Sequence, residues 1–141
     1  MKVGFDVHGC ITLYPEIFMK LSRGLLDMGH EVHIITGQEQ SKIESKVREL
    51  NISFTHFFSI VDYHKNIGTE MWVDEKGTFW MEEDTWNRSK GDYIFREKID
   101  VHFDDNYEYV NYIPDSCTVI IVPRIGFDKF MSTFIWSKNE N

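Results

Sequence analysis

The sequence lacks most of the features that mark small secreted, zinc-binding or membrane proteins. It has two cysteines, Cys10 and Cys117, which lie too far apart along the chain to suggest a shared zinc knuckle or a disulfide framework. No apolar run approaches the roughly 18 residues that a membrane span requires. Asp6 comes too early for the apolar part of a signal peptide. We therefore expect a cytoplasmic protein with no membrane contact.

Positive charge is also scarce. The 141 residues include 15 lysines and arginines against 23 acidic residues, for a formal net charge of -8. So acidic a surface repels the phosphate backbone of a long nucleic acid, which excludes a protein whose main role is to grip one. A single phosphate group in a local site remains compatible with this charge.

The hydrophobic pattern predicts an α/β fold in one domain spanning residues 1–141. Short apolar runs rich in β-branched residues predict strands over residues 2–7, 32–35, 54–61, 99–103 and 118–122. Helical patterns separate them, the first beginning at Pro15. Strands that alternate with helices form right-handed βαβ units. We therefore predict a Rossmann-like parallel sheet of about five strands with helices on both faces.

One segment, residues 62–85, breaks the alternation and matches neither a helix nor a core strand. Inside it, two short apolar runs that carry Trp72 and Trp80 flank Asp74-Glu75-Lys76-Gly77. A turn that ends in glycine between two such runs is typical of a β-hairpin, which we predict over about residues 70–81. Two tryptophans on so small a hairpin indicate that it packs against another surface.

Polar residues follow three of the predicted strands. Ligands of an open parallel sheet bind beyond the carboxyl ends of its strands, so these residues are expected to converge. They are Asp6 and His8 after the first strand, Thr36 and Gly37 after the second, and Asp104 and Asp105 after the fourth, with Lys90 upstream of the fourth. Three carboxylates at close range repel one another unless a cation intervenes, and oxygen ligands favour Mg²⁺. The ammonium and hydroxyl groups would add donors for an anion such as phosphate.

This ordered set resembles the four motifs of the haloacid dehalogenase superfamily, most of whose members are Mg²⁺-dependent phosphohydrolases. The first motif, an apolar strand followed by Asp-x-Asp-Gly, stands here as Asp6-Val7-His8-Gly9. Thr36 matches the second motif, Lys90 the third, and the pair Asp104 and Asp105 the fourth. The resemblance covers essentially the whole chain, and its specificity lies in the order of the motifs.

The resemblance implies a role for each matched residue. Asp6 would be the nucleophile of a phosphomonoesterase that acts on a small phosphorylated substrate, with nucleotides included in that class, and would carry the phosphoryl group as an aspartyl-phosphate. The residues implied in catalysis are Asp6, His8, Thr36 and Lys90. Those expected to bind substrate are Gly9, Thr36, Gly37 and Lys90, together with Trp72 and Trp80, whose rings would stack a base. Mg²⁺ would be held by Asp6, the backbone carbonyl of His8, Asp105 and, less directly, Asp104.

Two features depart from the family pattern. His8 stands where the family has its usual general acid/base aspartate; histidine side chains can serve both roles, because their ordinary pKa is about 6.5. The short interval between Lys90 and Asp104 leaves room for one short helix, which we place with Ser89 as its cap. If that helix starts elsewhere, Arg88 or Lys98 would replace Lys90.

The family's larger cap is absent, so the hairpin would be a minimal flap over an open site. Two alternative hypotheses remain: a phosphate- and metal-binding module without turnover, and an interaction protein that uses the hairpin as its partner surface. Trp86 is a further candidate platform, although tryptophans more often pack. The remaining histidines show no metal-ligand spacing and are interpreted as structural or surface residues; they are His30, His33, His56, His64 and His102.

Overall fold

The centre of the protein is a five-stranded sheet, seen in a computed structural model that describes residues 1–133. Its strands are β1 (Lys2–Phe5), β2 (Glu31–Thr36), β3 (His56–Ser59), β6 (Val101–Asp104) and β7 (Thr118–Ile121). A separate antiparallel pair consists of β4 (Trp72–Val73) and β5 (Phe79–Trp80). The order in the main sheet is β3-β2-β1-β6-β7, and all neighbouring strands are parallel. The predicted α/β, Rossmann-like sheet is therefore confirmed.

Helices cover both faces of this sheet. They are α1 (Pro15–Asp27), α2 (Gln40–Glu49), α3 (Ile60–Ile67), α4 (Glu83–Glu97), a 3₁₀ helix (Tyr107–Tyr112) and α5 (Phe127–Met131). Side chains of α1, α2 and α5 share one apolar core with Val32 and Ile34, whereas α3 and α4 pack with Ile35 in a second core. Successive residues of β2 therefore point to opposite faces, and both faces are buried. No helix among residues 1–133 has both the length and the apolar character needed to cross a membrane.

The segment after β3 contains a helix that the sequence pattern does not predict. β3 ends at Ser59 rather than at residue 61, and α3 begins with the next residue. The Ser59 hydroxyl caps this helix by accepting a hydrogen bond from the amide of Asp62 at 3.1 Å. The boundary was missed because Ile60 and Val61, which are both buried, extend the apolar run of the strand into the first turn of the helix.

Helix α4 begins at Glu83, so the prediction that Ser89 caps a short helix was wrong. Ser89 and Lys90 lie in the middle of α4 and are buried. The Ser89 hydroxyl donates to the carbonyl of Thr85 at 2.6 Å, one turn earlier in the same helix. The buried face of α4 includes serine, lysine and glycine. A prediction based on hydrophobic periodicity misses such a face, because these buried residues are not apolar.

The hairpin forms where it was predicted. Trp72 pairs with Trp80 and Val73 with Phe79 across its two short strands. The Asp74 carboxylate organises the turn by accepting hydrogen bonds from the amides of Lys76 and Thr78, at 2.9 and 3.0 Å.

A glycine in α4 permits a close approach of two backbones, which makes a testable prediction. A Cβ at Gly91 would overlap the carbonyl oxygen of Tyr112 in the 3₁₀ helix. Gly91→Ala should therefore lower the free energy of unfolding by about 1–3 kcal/mol, because the two elements must separate. Gly24→Ala is the matched control: it lies in α1 with open space around its Cβ and should stabilise by about 0.5–1 kcal/mol. Urea unfolding measures both, and equal changes would contradict the packing explanation.

Candidate functional site

The carboxyl ends of three neighbouring strands bring the predicted residues together. Parallel register aligns Phe5 of β1 with Ile34 of β2 and with Phe103 of β6, so these strands end at nearly the same level. A cavity of about 620 Å³ opens at this edge. Its lining includes Asp6, His8, Thr36, Lys90, Asp105 and Phe79. The sequence prediction that polar residues converge beyond the strand ends is thus confirmed.

The loop after β1 positions the first of these residues. β1 ends at Phe5, and the chain then winds through Val7–Ile11, where the amide of Thr12 donates to the carbonyl of Val7 at 3.0 Å. Gly9 has a φ of +76°, a conformation that favours glycine. A Cβ at Gly9 would also overlap the carboxylate of Asp105. Gly9 therefore allows the loop to turn and Asp105 to lie directly against it.

Lys90 lies between two carboxylates at the base of the cavity. Its Nζ is 3.0 Å from Oδ1 of Asp6 and 2.8 Å from Oδ2 of Asp104. Burial lowers the pKa of Lys90, but the charges of Asp6 and Asp104 outweigh burial and hold that pKa above its ordinary value. Lys90 is therefore charged, and its place in the middle of α4 makes the alternatives Arg88 and Lys98 unnecessary.

The two carboxylates respond differently to this environment. Burial raises the pKa of Asp6 to about 7, although Lys90 opposes the change. Burial also acts to raise the pKa of Asp104, but the hydrogen bond from His102 and the charge of Lys90 outweigh it and hold that pKa below its ordinary range. Asp104 is therefore held in its charged form. The charged form of Asp6 requires further positive charge close by.

Asp104 supports the site from behind and does not line the cavity formed by the described residues. Its Oδ2 accepts from Lys90 and from Nε2 of His102, the latter at 2.9 Å, and its Oδ1 accepts from the amide of Asn106 at 3.0 Å. Asp104 therefore anchors Lys90, and its predicted role as a less direct metal ligand stays a prediction.

His102, which the sequence analysis interprets as a structural or surface residue, supports Asp104. Burial lowers its pKa, so the ring is neutral and its Nε2–H is assigned as the donor to Asp104. A histidine two residues before an acid at a strand end was the only sequence signal for this contact, because both side chains must point to the same face.

The donors that remain suit a hard cation. Ligand atoms of Asp6, Asp105 and Cys10 lie within 4.8 Å of one another. Burial raises the pKa of the Cys10 thiol well above its ordinary value, so it stays protonated and is a poor ligand. Three aspartates and one lysine give the ionised site two excess negative charges. Carboxylate oxygens with that excess fit Mg²⁺ in charge and chemistry.

The predicted phosphate-binding residues also face the cavity. Thr36 is buried at the end of β2, and its Oγ1 accepts a hydrogen bond from the amide of Gln38 at 3.3 Å, which leaves its O–H as a donor. Gly37 lies against the ring of Trp86, and both line the cavity. The His8 side chain is exposed at the same opening.

The hairpin borders the cavity through a different side chain from those predicted. Phe79 lines the cavity, as do Lys76, Gly77 and Thr78 of the turn. Trp72 and Trp80 do not, and they are 56% and 50% exposed. The reason is the two-residue alternation of a strand: the paired tryptophans share one face of the hairpin, and Phe79 belongs to the other. Trp80 instead lines a neighbouring cavity with Phe79 and Trp86, and the predicted part of both tryptophans in binding substrate stays a prediction.

Two further aromatic residues, Trp86 and Tyr109, line the cavity. Nε1 of Trp86 donates to the hydroxyl of Tyr109 at 2.9 Å, and Nζ of Lys90 lies 4.6 Å from the centre of the Tyr109 ring. Trp86 was a candidate from the sequence, whereas Tyr109 was missed. Its 3₁₀ helix carries no motif, and only the approach of that helix to Gly91 brings Tyr109 to the site.

No protein-family model matches the chain, and no curated protein sequence matches it. Function is therefore inferred from the residues of this cavity and from their geometry.

The buried lysine makes a prediction that does not depend on any activity. Lys90→Met removes the ammonium that lies between Asp6 and Asp104 and leaves two buried carboxylates without that compensating charge. The free energy of unfolding should fall by about 3–5 kcal/mol. The matched control, Lys46→Met, changes an exposed lysine of α2 and should stay within about 0.5 kcal/mol of wild type. Urea unfolding in Mg²⁺-free buffer measures both, and a Lys90→Met loss no larger than the control's would show that Lys90 is not the compensating charge.

Proposed function

We propose that this protein is a Mg²⁺-dependent phosphomonoesterase of the haloacid dehalogenase type. One observation carries the proposal: Asp6, Asp105 and Lys90 converge with Thr36 at one edge of a parallel sheet. A nucleophile, a cation site and two phosphate donors then face one cavity. The resemblance of the sequence motifs to that superfamily supports the same reaction.

Asp6, Asp105 and the backbone carbonyl of His8 would hold the metal ion. When bound, Mg²⁺ supplies positive charge that neutralises the carboxylate nucleophile and the oxygens of the transferring phosphate. Asp104 contributes by holding Lys90 in place, while its oxygens also accept from His102 and the amide of Asn106.

Lys90 and Thr36 bind the phosphoryl group. A lysine ammonium has three N–H donors, and Asp6 and Asp104 use two of them. The third is available to a phosphate oxygen, and the Thr36 hydroxyl donates to another. Both donors sit on regular secondary structure, which holds them in place before the substrate arrives.

In the first step, Asp6 attacks phosphorus. Lys90 engages Oδ1, so we assign the attack to Oδ2. A bond forms between Oδ2 and phosphorus while the bond from phosphorus to the leaving oxygen breaks. That oxygen leaves with the bonding electron pair and takes a proton from the imidazolium of His8. The product alcohol departs, and Asp6 carries the phosphoryl group.

In the second step, the neutral ring of His8 accepts a proton from water. The water oxygen bonds to phosphorus, and the bond between phosphorus and Oδ2 of Asp6 breaks. Inorganic phosphate leaves, Asp6 is again a carboxylate, and His8 is again protonated. One side chain therefore serves as acid and then as base, as the family's aspartate does.

The cavity walls indicate the kind of ester. Phe79 and Trp86 offer flat aromatic surface, and the ammonium groups of Lys42 and Lys76 border the same opening. Nζ of Lys65 lies 4.0 Å from the centre of the Phe79 ring. Glu39 also lines the cavity and pairs with both Lys42 and Lys65, so the aromatic wall rather than net charge carries the argument. Such a wall suits a nucleotide, whose base stacks while its phosphate reaches Lys90.

The decisive experiment measures phosphate release with a panel of nucleotides and aryl phosphates. Asp6→Asn should lose more than about 10³-fold in rate, because it removes the nucleophile. His8→Ala should lose about 10²–10⁴-fold, the usual contribution of a general acid/base. His8→Asp, which restores the family pattern, should equal or exceed wild type. The matched control is His30→Ala, a histidine outside the cavity, which should have no effect.

Two results would contradict the proposal. Turnover that survives Asp6→Asn would remove Asp6 as the nucleophile. No turnover by wild type, together with turnover by His8→Asp, would make the natural protein a phosphate- and metal-binding module without activity.

A second prediction concerns the metal alone. Mg²⁺ should raise the melting temperature, because it binds the folded carboxylates and relieves their repulsion. Asp105→Asn should abolish most of that rise, whereas Asp115→Asn, which changes an exposed aspartate outside the cavity, should preserve it. Thermal unfolding across a Mg²⁺ series measures this. A full rise in Asp105→Asn would exclude Asp105 as a ligand.

A further inference from the structure

A second cluster of metal-type donors lies at the opposite edge of the sheet. Glu31 is the first residue of β2 and His56 is the first residue of β3. Parallel register pairs His33 directly with His56. These residues lie where strands begin, whereas Asp6 and Thr36 lie where strands end. The cluster is thus separate from the cavity described above.

One buried nitrogen in this cluster lacks a hydrogen-bond partner. His33 is fully buried, and its Nδ1 lies 2.7 Å from the hydroxyl of Tyr93. Among residues 1–133, no group forms a hydrogen bond with its Nε2. Oε2 of Glu31 faces Nε2 at 3.7 Å, which is too long for a hydrogen bond, and forms an ion pair with Nζ of Lys2 at 3.5 Å. Unsatisfied buried groups are rare enough that Nε2 of His33 requires an explanation.

The contact at Nδ1 orients His33 as a ligand. When Nδ1–H donates to the Tyr93 hydroxyl, 2.7 Å away, the ring presents a lone pair at Nε2. Metal-bound histidines typically use their second nitrogen in this way, to fix the ring and its tautomer.

The spacing suits one metal ion. Two ligand atoms on a tetrahedral zinc ion lie about 3.4 Å apart, given bonds of about 2.1 Å. Nε2 of His33 and Oε2 of Glu31 are 3.7 Å apart, and Nε2 of His56 is 3.9 Å from Oε1 of Glu31. One ligand atom from each of the three residues can be chosen so that all lie within 4.8 Å of one another. Two imidazoles and one carboxylate are a donor set for Zn²⁺ rather than for Mg²⁺.

We propose that Glu31, His33 and His56 form a second metal site, which binds Zn²⁺ and links β2 to β3 at the amino end of the sheet. Three protein ligands leave a fourth position for water. Because the ligands come from two strands, the bound ion stabilises the pairing of the edge strand β3.

Binding requires two local movements, and the structure permits both. The rings of His33 and His56 are stacked at 4.2 Å with planes only 5° apart, so one ion does not lie in both planes. His56 must turn, and it is an exposed side chain whose Nδ1 lies 2.9 Å from the Thr55 hydroxyl. Nζ of Lys2, 3.5 Å from Oε2 of Glu31, must withdraw, which its long side chain allows.

The test is a calorimetric titration of the full chain with Zn²⁺ in excess Mg²⁺, which occupies the carboxylates at the other edge. Glu31→Gln and His56→Ala each remove one ligand, and both change side chains that are not fully buried, so the fold is retained. Each should raise the dissociation constant for Zn²⁺ at least about tenfold. His30→Ala, which removes the histidine next to Glu31, is the matched control and should bind as wild type does. Asp105→Asn should also bind Zn²⁺ unchanged.

Binding of Co²⁺ gives a second, spectroscopic measurement that is independent of calorimetry. Co²⁺ in the wild-type protein should show the visible absorption of a four-coordinate ion, and His56→Ala should lose it. No Zn²⁺ binding by wild type would overturn the proposal. So would binding that survives both Glu31→Gln and His56→Ala, or binding that disappears only in Asp105→Asn, because the ion would then lie at the Asp6 edge.

Discussion

The burial of one charged lysine constrains much of this structure. Lys90 lies in the middle of α4, where its ammonium cannot reach bulk water and must be neutralised by protein groups. Asp6 and Asp104 supply that charge, so α4 docks with its middle turn against the ends of β1 and β6. Gly91, the next residue, lets the 3₁₀ helix approach at the same level. The same contact that holds the helix therefore builds the floor of the cavity.

The neutralisation of Lys90 also places Asp6, Asp104 and Asp105 in different surroundings. Asp104 accepts three hydrogen bonds and is fixed in position, whereas burial raises the pKa of Asp6, so that its charged form requires more positive charge nearby. Asp105 lies at the cavity against Gly9, next to Asp6. Adjacent acids in the sequence thus differ in surroundings, because Asp104 is buried behind the strand ends and Asp105 lines the cavity.

The two edges of the sheet offer different donor chemistry. Carboxylates gather where strands end, beside a loop and a helix that bring further charged groups. Imidazoles meet where β2 and β3 begin, because register places His33 opposite His56. Hard oxygen donors and imidazole nitrogens select different ions, so the proposed Mg²⁺ and Zn²⁺ sites need not compete.

Local periodicity and turn chemistry were enough to predict the sheet, the hairpin and most of the polar residues at the strand ends. The remaining features depend on the tertiary structure. It started α3 inside an apolar run, placed Lys90 mid-helix, turned Phe79 rather than Trp72 and Trp80 toward the cavity, and paired His33 with His56. Each of these depends on which faces of separate elements meet. Packing between residues far apart in the chain sets that, and no local pattern records it.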